Sequence, residues 1–230
     1  MFKGNLETAV SRYENTGSRL EDEFVGVVNG RKYKELAYAF LHKNDQANSD
    51  ALTDDMRFEK MLETRELAAH EFENTLDFKE KYIKRSDSMR LVEKCQVGDP
   101  EHPSRFFAKK LYDTVRERFN KDDFILKFFT ATGGTHLDVA HKIDCYFKLY
   151  LKDTGQEIAC ATMDLTQNSN KGTAEANILV NISPEEQEKC DPSQENKKYD
   201  PKFLEETIIR ISGEVVDALM NDYRNRQEKN

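Results

Sequence analysis

The sequence predicts an α+β or α/β fold, in which a helical N-terminal region precedes a mixed sheet flanked by helices. All five prolines lie at or after Pro100, and no glycine lies between Gly30 and Gly98. The stretch between Gly30 and Gly98 therefore lacks the turn residues that hairpins need. In the second half, short runs of β-branched and aromatic residues alternate with turn signals, a pattern typical of strands. We predict a helical extension over 1–100 and an α/β domain over 101–230.

The composition excludes several classes of protein. The chain has 230 residues and a net charge of -8, and 10% of its residues are aromatic. This aromatic content is too high for a wholly disordered chain. No apolar run is long enough to span a bilayer, and the first residues lack the apolar core of a signal peptide. None of the four cysteines forms a C-x-x-C pair, which disfavours a zinc ribbon. We expect an intracellular, cytoplasmic protein with no membrane partner and reduced thiols.

Helical periodicity accounts for most of the first 120 residues. Apolar residues recur at 3.6-residue spacing in the predicted helices, except that the rhythm of the first is broken. Between the third and fourth helices, the run Met89–Val92 is typical of a short strand. The predicted helices are a broken first helix over residues 5–16 and 20–28, and further helices over 32–42, 54–84 and 104–120.

Strand patterns follow, with a tight turn at Lys152–Gly155 that joins two of the strands into a hairpin. A polar segment over 184–200 precedes a C-terminal helix with an apolar stripe over 204–219. The predicted strands cover residues 124–129, 143–150, 157–164 and 178–182.

Two aspartates lie at the open end of this hairpin. Asp144 begins one strand and Asp164 ends the next, and each is ten residues from a turn centred on 154. Antiparallel pairing therefore brings the two carboxylates side by side. Because like charges this close repel, they need a bridging cation or a shared proton. Mg²⁺ (or Mn²⁺) suits such a pair, since it binds one or two carboxylates and keeps positions for water and phosphate. Lys142 and Lys171 are the lysines available to position a water or stabilise developing charge.

The spacing of these acids resembles that of the PD-(D/E)XK nuclease superfamily. The resemblance covers Gly134–Lys171 and assigns Asp144 to the first half-motif and Asp164 to the second. It implies a restriction-endonuclease-like core of a helix, three strands, a helix and a strand, and metal-dependent hydrolysis of DNA. The family lysine, two residues after the second acid, is Thr166 in this chain, so Lys171 or Lys142 would take its role.

Members of this superfamily often draw a further acid from the helix before the sheet. Asp113 and Glu117 are the candidates here. Both lie off the apolar stripe of their predicted helix.

The same region permits a different metal site. His136 and His141 flank Asp138, and with Asp144 they have the residue types of a transition-metal site. We favour instead an interpretation in which the histidines contact solvent or phosphate.

The helix before the sheet carries a local positive charge. Residues 105–121 hold six basic and two acidic side chains, which makes this helix a candidate for contacts to backbone phosphates. The predicted nucleic-acid contacts are Lys109, Lys110, Arg116, Thr135 and His136.

Two functions remain open. The first is a metal-dependent nuclease acting on DNA, with the helical region used for substrate recognition or self-association. The second is a non-enzymatic interaction or adaptor protein on a degenerate nuclease-like scaffold, with the helical region binding a protein partner. The absence of a lysine at position 166 favours the second.

Overall fold

The computed structural model describes residues 16–43, 82–167, 175–192 and 197–228. These residues form a mixed α+β structure, with a four-stranded mixed sheet and helices against both of its faces. The helices are α1 (Thr16–Phe24), α2 (Gly30–Lys43), α3 (Arg85–Lys94), α4 (Phe106–Arg116), α5 (His136–Val139), α6 (Pro184–Cys190) and α7 (Pro201–Gln227). The strands are β1 (Phe124–Thr130), β2 (Cys145–Leu151), β3 (Glu157–Thr166) and β4 (Ile178–Asn181).

The sheet has the order β1-β2-β3-β4. The first three strands form an antiparallel meander, and β4 pairs parallel to β3. Cys145 pairs with Met163 at one end of the hairpin, and Tyr150 pairs with Glu157 near its turn. The register predicted from the turn is therefore confirmed.

Alternation along the strands divides the interior into two cores. On one face of β2, Cys145, Phe147 and Leu149 pack with residues of α1, α4 and α7. On the other face, Tyr146 packs with residues of α2 and α3. Successive side chains of a strand point to opposite faces, so the sheet is sandwiched between two helical layers.

The outer edge of β1 is covered by the loop that precedes α4. The Gln96 side-chain amide donates to the Thr130 carbonyl and accepts from the Thr130 N–H at 2.8 and 3.1 Å. The Phe128 N–H donates to the Pro100 carbonyl at 2.8 Å. These bonds satisfy backbone groups that an exposed edge strand would offer to another chain.

The four strands, and the helices expected at 32–42, 104–120 and the C-terminus, are confirmed with small changes of boundary. The strand predicted at Met89–Val92 is wrong: these residues lie in α3, where Met89, Leu91 and Val92 pack into the second core. Burial of this short apolar run in the tertiary structure stabilises the helix, although the residues by themselves favour a strand.

The polar segment over 184–200 contains a helix that we did not predict. Ser183 caps α6 by accepting from the Glu186 N–H, and Glu186 accepts from the Ser183 N–H in return. This capping box, with Pro184 at the first helical position, stabilises a short polar helix.

The helix predicted over 54–84 lies outside the described residues as far as position 81, and so does the predicted segment 5–16 as far as position 15. The predicted boundary at residue 100 stays a prediction, although Leu20 and Phe24 of α1 pack in the same core as α4 and α7. Within the described ranges, no helix is both long and apolar enough to cross a membrane.

Candidate metal centre

Asp144 lies directly before β2, where backbone bonds hold it beside both neighbouring strands. Its N–H donates to the Met163 carbonyl at 2.9 Å, and its carbonyl accepts from the Ala131 N–H at 2.7 Å. One position beyond the Cys145 and Met163 pair, Asp144 and Asp164 come side by side. The structure thus brings together the two aspartates that the sequence singled out.

The Asp144 carboxyl group is buried, with 3% of the residue exposed. Its Oδ2 accepts the Leu165 N–H at 2.6 Å. Burial raises the pKa of Asp144 to about 9, and the charge of Glu21 adds to this shift. The Leu165 hydrogen bond lowers the pKa, whereas Asp164 and Asp138 raise it. A carboxyl group in this environment needs a proton or a cation.

Three carboxylates converge at this point. Glu21, Asp138 and Asp144 each offer an oxygen, and these oxygens lie within 4.8 Å of one another. We call this set the acid cluster. Its members come from α1, α5 and the residue before β2, so three separate segments of the chain meet here.

The loop before α5 positions Asp138. The Thr135 hydroxyl accepts from the Asp138 N–H at 3.1 Å and donates to the Ala131 carbonyl at 2.5 Å. The Gly134 N–H donates to Asp138 Oδ2 at 3.2 Å. Gly133 and Gly134 have φ values of 100° and 78°, which glycine adopts without strain. The segment Gly133–Thr135 is therefore the turn and N-terminal cap from which this one-turn helix begins.

Glu21 is positioned by the packing of α1. Leu20 and Phe24 on either side of it are buried in the first core. After the helix, the Gly26 carbonyl accepts hydrogen bonds from the hydroxyls of Thr130 and Thr132. These bonds fix the end of α1 to the segment that follows β1.

Asp164 is buried, with 1% of the residue exposed, and it is not one of the three members of the acid cluster. Its charge is one of the causes that raise the pKa of Asp144. Thr166, at the position of the family lysine, is also buried. The carboxylate set therefore shares only Asp144 with the predicted pair: it includes Glu21 and Asp138 and leaves out Asp164.

Of the two candidate lysines, only Lys142 lies within the residues that the structure describes. Lys142 is exposed, and its ammonium donates to the Val139 carbonyl at 2.8 Å, which caps α5. Its φ of 53° is left-handed. Lys171 lies outside the described residues, and its role stays a prediction.

The histidines do not form the alternative metal site. The His141 ring is buried, with Nδ1 3.2 Å from Glu175 Oε2 and Nε2 2.9 Å from the Ile83 carbonyl. Both ring nitrogens therefore have protein partners. His136 is buried, and its backbone N–H donates to the Tyr33 hydroxyl at 2.9 Å. Neither histidine belongs to the acid cluster.

The predicted phosphate-binding residues divide into two groups: Thr135 and His136 lie at the start of α5, and Lys109, Lys110 and Arg116 lie on α4. Lys109 pairs with Asp113 at 2.7 Å on the exposed side of α4, and Lys110 lies 5.6 Å from the centroid of the Phe106 ring. Arg116 donates to the Phe124 carbonyl at 3.2 Å. Phe124 pairs with Leu151, at the end of β2 away from Asp144, so Arg116 lies about 20 Å along the sheet from the acid cluster.

Sequence reasoning missed Glu21 entirely and placed Asp138 in a histidine site. The resemblance called for an acid from a helix before the sheet, but Asp113 is paired with Lys109 and Glu117 is exposed at the end of α4. Glu21 belongs to an earlier helix, 123 positions before Asp144. The available signal was its place between two apolar residues, Leu20 and Phe24, that anchor the helix.

The donor set decides which metal would suit the acid cluster. Carboxylate oxygens are hard ligands, which favour Mg²⁺, Mn²⁺ or Ca²⁺ over metals that prefer nitrogen and sulfur. The residues therefore fit the predicted Mg²⁺ or Mn²⁺.

Comparisons with protein-family models, curated proteins and solved structures find no match to this chain.

Proposed function

We propose that this chain is a divalent-metal-dependent nuclease-like protein that hydrolyses DNA phosphodiester bonds, with its metal centre at the acid cluster. The observation that carries the proposal is the convergence of Glu21, Asp138 and Asp144 within 4.8 Å. Like charges at this separation repel unless a cation or protons compensate them. The raised pKa of Asp144, to about 9 and mainly from burial, is in keeping with this need.

The order of elements supports the resemblance to the PD-(D/E)XK superfamily. A helix (α4), three antiparallel strands and a fourth strand occur in this order along the chain, with α5 between the first two strands and no helix in the described residues between β3 and β4. Asp144 and Asp164 lie at the strand ends that correspond to the two half-motifs. An acid from a preceding helix, as family members often have, is supplied by Glu21 rather than by α4.

Each residue would have a distinct part. Glu21, Asp138 and Asp144 would hold the metal through one oxygen each, with Asp164 beside them adding negative charge. A bound Mg²⁺ supplies Lewis-acid polarisation of the phosphate and lowers the pKa of a coordinated water. The Leu165 N–H and the Thr135 cap keep Asp144 and Asp138 in place, because a metal site depends on groups that orient its ligands.

The test is cleavage of plasmid and single-stranded DNA in Mg²⁺ or Mn²⁺. Wild-type protein should cleave, and Asp144→Asn and Glu21→Gln should each reduce the rate by about 100-fold or more. Glu157→Gln is a matched control, since this acid lies near the hairpin turn, at the other end of β2. No cleavage by any form of the protein would remove the nuclease proposal.

A second candidate function is a non-catalytic interaction protein on the same scaffold. Thr166 occupies the family lysine position, and Lys142 caps α5. Metal binding without cleavage would favour this second function. A rate lowered about tenfold or more by Lys171→Ala would favour the first.

A further inference from the structure

The start of α2 carries a local cluster of positive charge. Arg31, Lys32 and Lys34 lie near its N-terminal end, and its first turn holds no acidic residue. We call these three residues the α2 basic patch. Arg31 and Lys34 are exposed, and because they are three positions apart they share one face of the helix. The Arg31 Nε pairs with Glu35 at 3.1 Å, yet 89% of the Arg31 side chain is exposed to solvent.

The α2 basic patch adjoins the helix that carries Asp138. Tyr33 lies within the patch sequence, and its buried hydroxyl accepts from the His136 N–H at 2.9 Å. His136 is the first residue of α5. Burial raises the pKa of Tyr33, and the charge of Asp138 adds to this shift. The first turn of α2 is therefore close enough to the acid cluster to feel its charge.

A second contact joins the start of α2 to the loop before α5. A Cβ placed on Gly30 would lie 3.9 Å from the Gly133 carbonyl oxygen. In the same peptide unit, the Gly134 N–H donates to Asp138 Oδ2 at 3.2 Å. These two contacts in series put the start of α2 within about 10 Å of the Asp138 carboxylate.

The α2 basic patch lies beside the acid cluster rather than within it. Burial raises the pKa of Asp144, and the charged side chains that add most to this shift are Glu21, Asp164 and Asp138. The exposed cations of α2 can therefore serve a group outside the cluster. Successive phosphates of a DNA strand lie about 3.4 Å apart along the helix axis, so a phosphate two or three positions from the cluster reaches the patch.

The overall charge of the chain makes such a patch necessary for DNA binding. The net charge is -8, which repels a polyanion at long range. On α4, where phosphate contacts were predicted, Lys109 pairs with Asp113 at 2.7 Å, and Arg116 donates to the Phe124 carbonyl at 3.2 Å. The highly exposed Arg31 side chain lies closer to the acid cluster than Arg116 does.

We infer that the α2 basic patch binds the DNA phosphate backbone beside the scissile bond and so positions the substrate at the acid cluster. The inference rests on the proposed function, because it takes a phosphate at the acid cluster as its starting point. Arg31 and Lys34 contact neighbouring phosphates of one strand. Such contacts fix the position of the strand and do not read its bases, so binding falls steeply with salt.

The test is fluorescence anisotropy with a labelled duplex of about 20 base pairs over a range of salt concentrations. Binding is measured in Ca²⁺, which carboxylates bind, and a gel confirms that the DNA stays intact. The double variant Arg31→Gln, Lys34→Gln should bind about tenfold or more weakly than wild type. The slope of log affinity against log salt should fall by about two, one for each lost phosphate contact.

The matched control removes two positive charges at the opposite end of β2. Lys121 and Lys152 are both exposed, and the Lys152 ammonium donates to the Lys121 carbonyl at 3.4 Å near the hairpin turn. The double variant Lys121→Gln, Lys152→Gln should change affinity by less than about threefold. Urea unfolding should show that both double variants remain folded. Equal losses of affinity in the two double variants would overturn the inference, as would wild-type protein that binds no DNA.

Initial rates of cleavage in Mg²⁺ separate this inference from the proposed function. The α2 double variant should raise KM about tenfold and change kcat by less than about threefold, because it removes binding that ground state and transition state share. A fall in kcat with unchanged KM would overturn the inference. If no protein cleaves but the α2 variant loses affinity, the nuclease proposal fails and the patch stands as a DNA-binding surface. If cleavage occurs and the α2 variant behaves like the control, only the patch assignment fails.

Discussion

The two ends of β2 both bury charged groups, but they compensate the charge in different ways. Toward the hairpin turn, the Lys148 ammonium lies 2.6 Å from Glu93 Oε1 and 2.7 Å from Glu157 Oε2. Arg226 extends this network by pairing with Glu157 and with Asp222 at 3.0 and 2.9 Å. At the other end, the charged side chains that most affect the pKa of Asp144 are all acids.

The pKa shifts express this difference. Burial alone lowers the pKa of Lys148, but Glu93 and Glu157 raise it more, so the net shift is upward and the ammonium stays charged. Burial raises the pKa of Asp144, and Glu21, Asp164 and Asp138 raise it further. The protein supplies its own counter-charges at the Lys148 end. At the Asp144 end, we propose that a metal ion supplies the counter-charge. Buried charge alone therefore does not mark a functional site, since the protein neutralises it internally at the Lys148 end.

The largest expected effect is on the rate of cleavage, which should depend on the acid cluster and not on the Lys148 end of β2. Asp144→Asn should lower Mg²⁺-dependent cleavage about 100-fold or more, because it removes one of the three proposed metal ligands. Glu157→Gln, at the other end of the sheet, should change the rate by less than about threefold. Initial rates on labelled single-stranded DNA measure both. Equal losses in the two variants would show that cleavage does not depend on the acid cluster in particular.

The second effect is on the free energy of unfolding, which should depend on the charge network around Lys148. Lys148→Met should destabilise the protein by about 3 kcal/mol, because it leaves Glu93 and Glu157 without their shared cation. Urea unfolding monitored by circular dichroism measures this change. Mn²⁺ affinity should stay within about threefold of wild type, because Lys148 lies away from the acid cluster. A large loss of Mn²⁺ affinity without loss of stability would reverse the roles of the two ends.

The third effect is the pH dependence of stability. An ordinary aspartate ionises near 3.8, whereas Asp144 in the folded protein ionises at about 9. Between these values the folded state holds a proton that the unfolded state has released, so stability falls as pH rises from about 4 to about 9. Asn does not ionise, and it keeps an oxygen to accept the Leu165 N–H. In EDTA, Asp144→Asn should therefore gain on wild type by about 1 kcal/mol or more between about pH 4 and pH 8.

Urea unfolding at the two pH values checks this prediction. A difference between Asp144→Asn and wild type that stays constant with pH would contradict the buried, protonated carboxyl group.

The smallest expected effect concerns Lys142. Lys142→Gly removes the ammonium that caps α5, but it also relieves a left-handed φ of 53°. These terms oppose each other, so stability should change by less than about 1 kcal/mol. Cleavage should stay within about threefold of wild type. A loss of about tenfold or more would return Lys142 to the catalytic role predicted from the sequence.

Local pattern and turn position predicted the sheet well. Strands rich in β-branched and aromatic residues, with a clear turn at Gly155, fix both the pairing and the register. That register is why Asp144 and Asp164 were recognised as neighbours. The register depends on residues that are close in sequence, so it can be predicted from the sequence of one chain.

The remaining parts depend on packing between distant segments. Glu21 reaches Asp144 only because α1 packs against the sheet through Leu20 and Phe24, and no local pattern encodes that contact. The helix at Arg85–Lys94 was mistaken for a strand because its apolar run is short and its conformation is set by burial in the second core. The Lys148 network escaped notice for the same reason, since Glu93 and Arg226 come from separate helices.

The central claim is that a divalent cation compensates the acid cluster, and calorimetric titration of the metal-free protein with Mn²⁺ tests it most directly. The account predicts about one Mn²⁺ per chain, with binding lost in Asp144→Asn and Glu21→Gln and retained in Glu157→Gln. Binding that is absent from the wild type, or that survives unchanged in both acid-cluster variants, would contradict it.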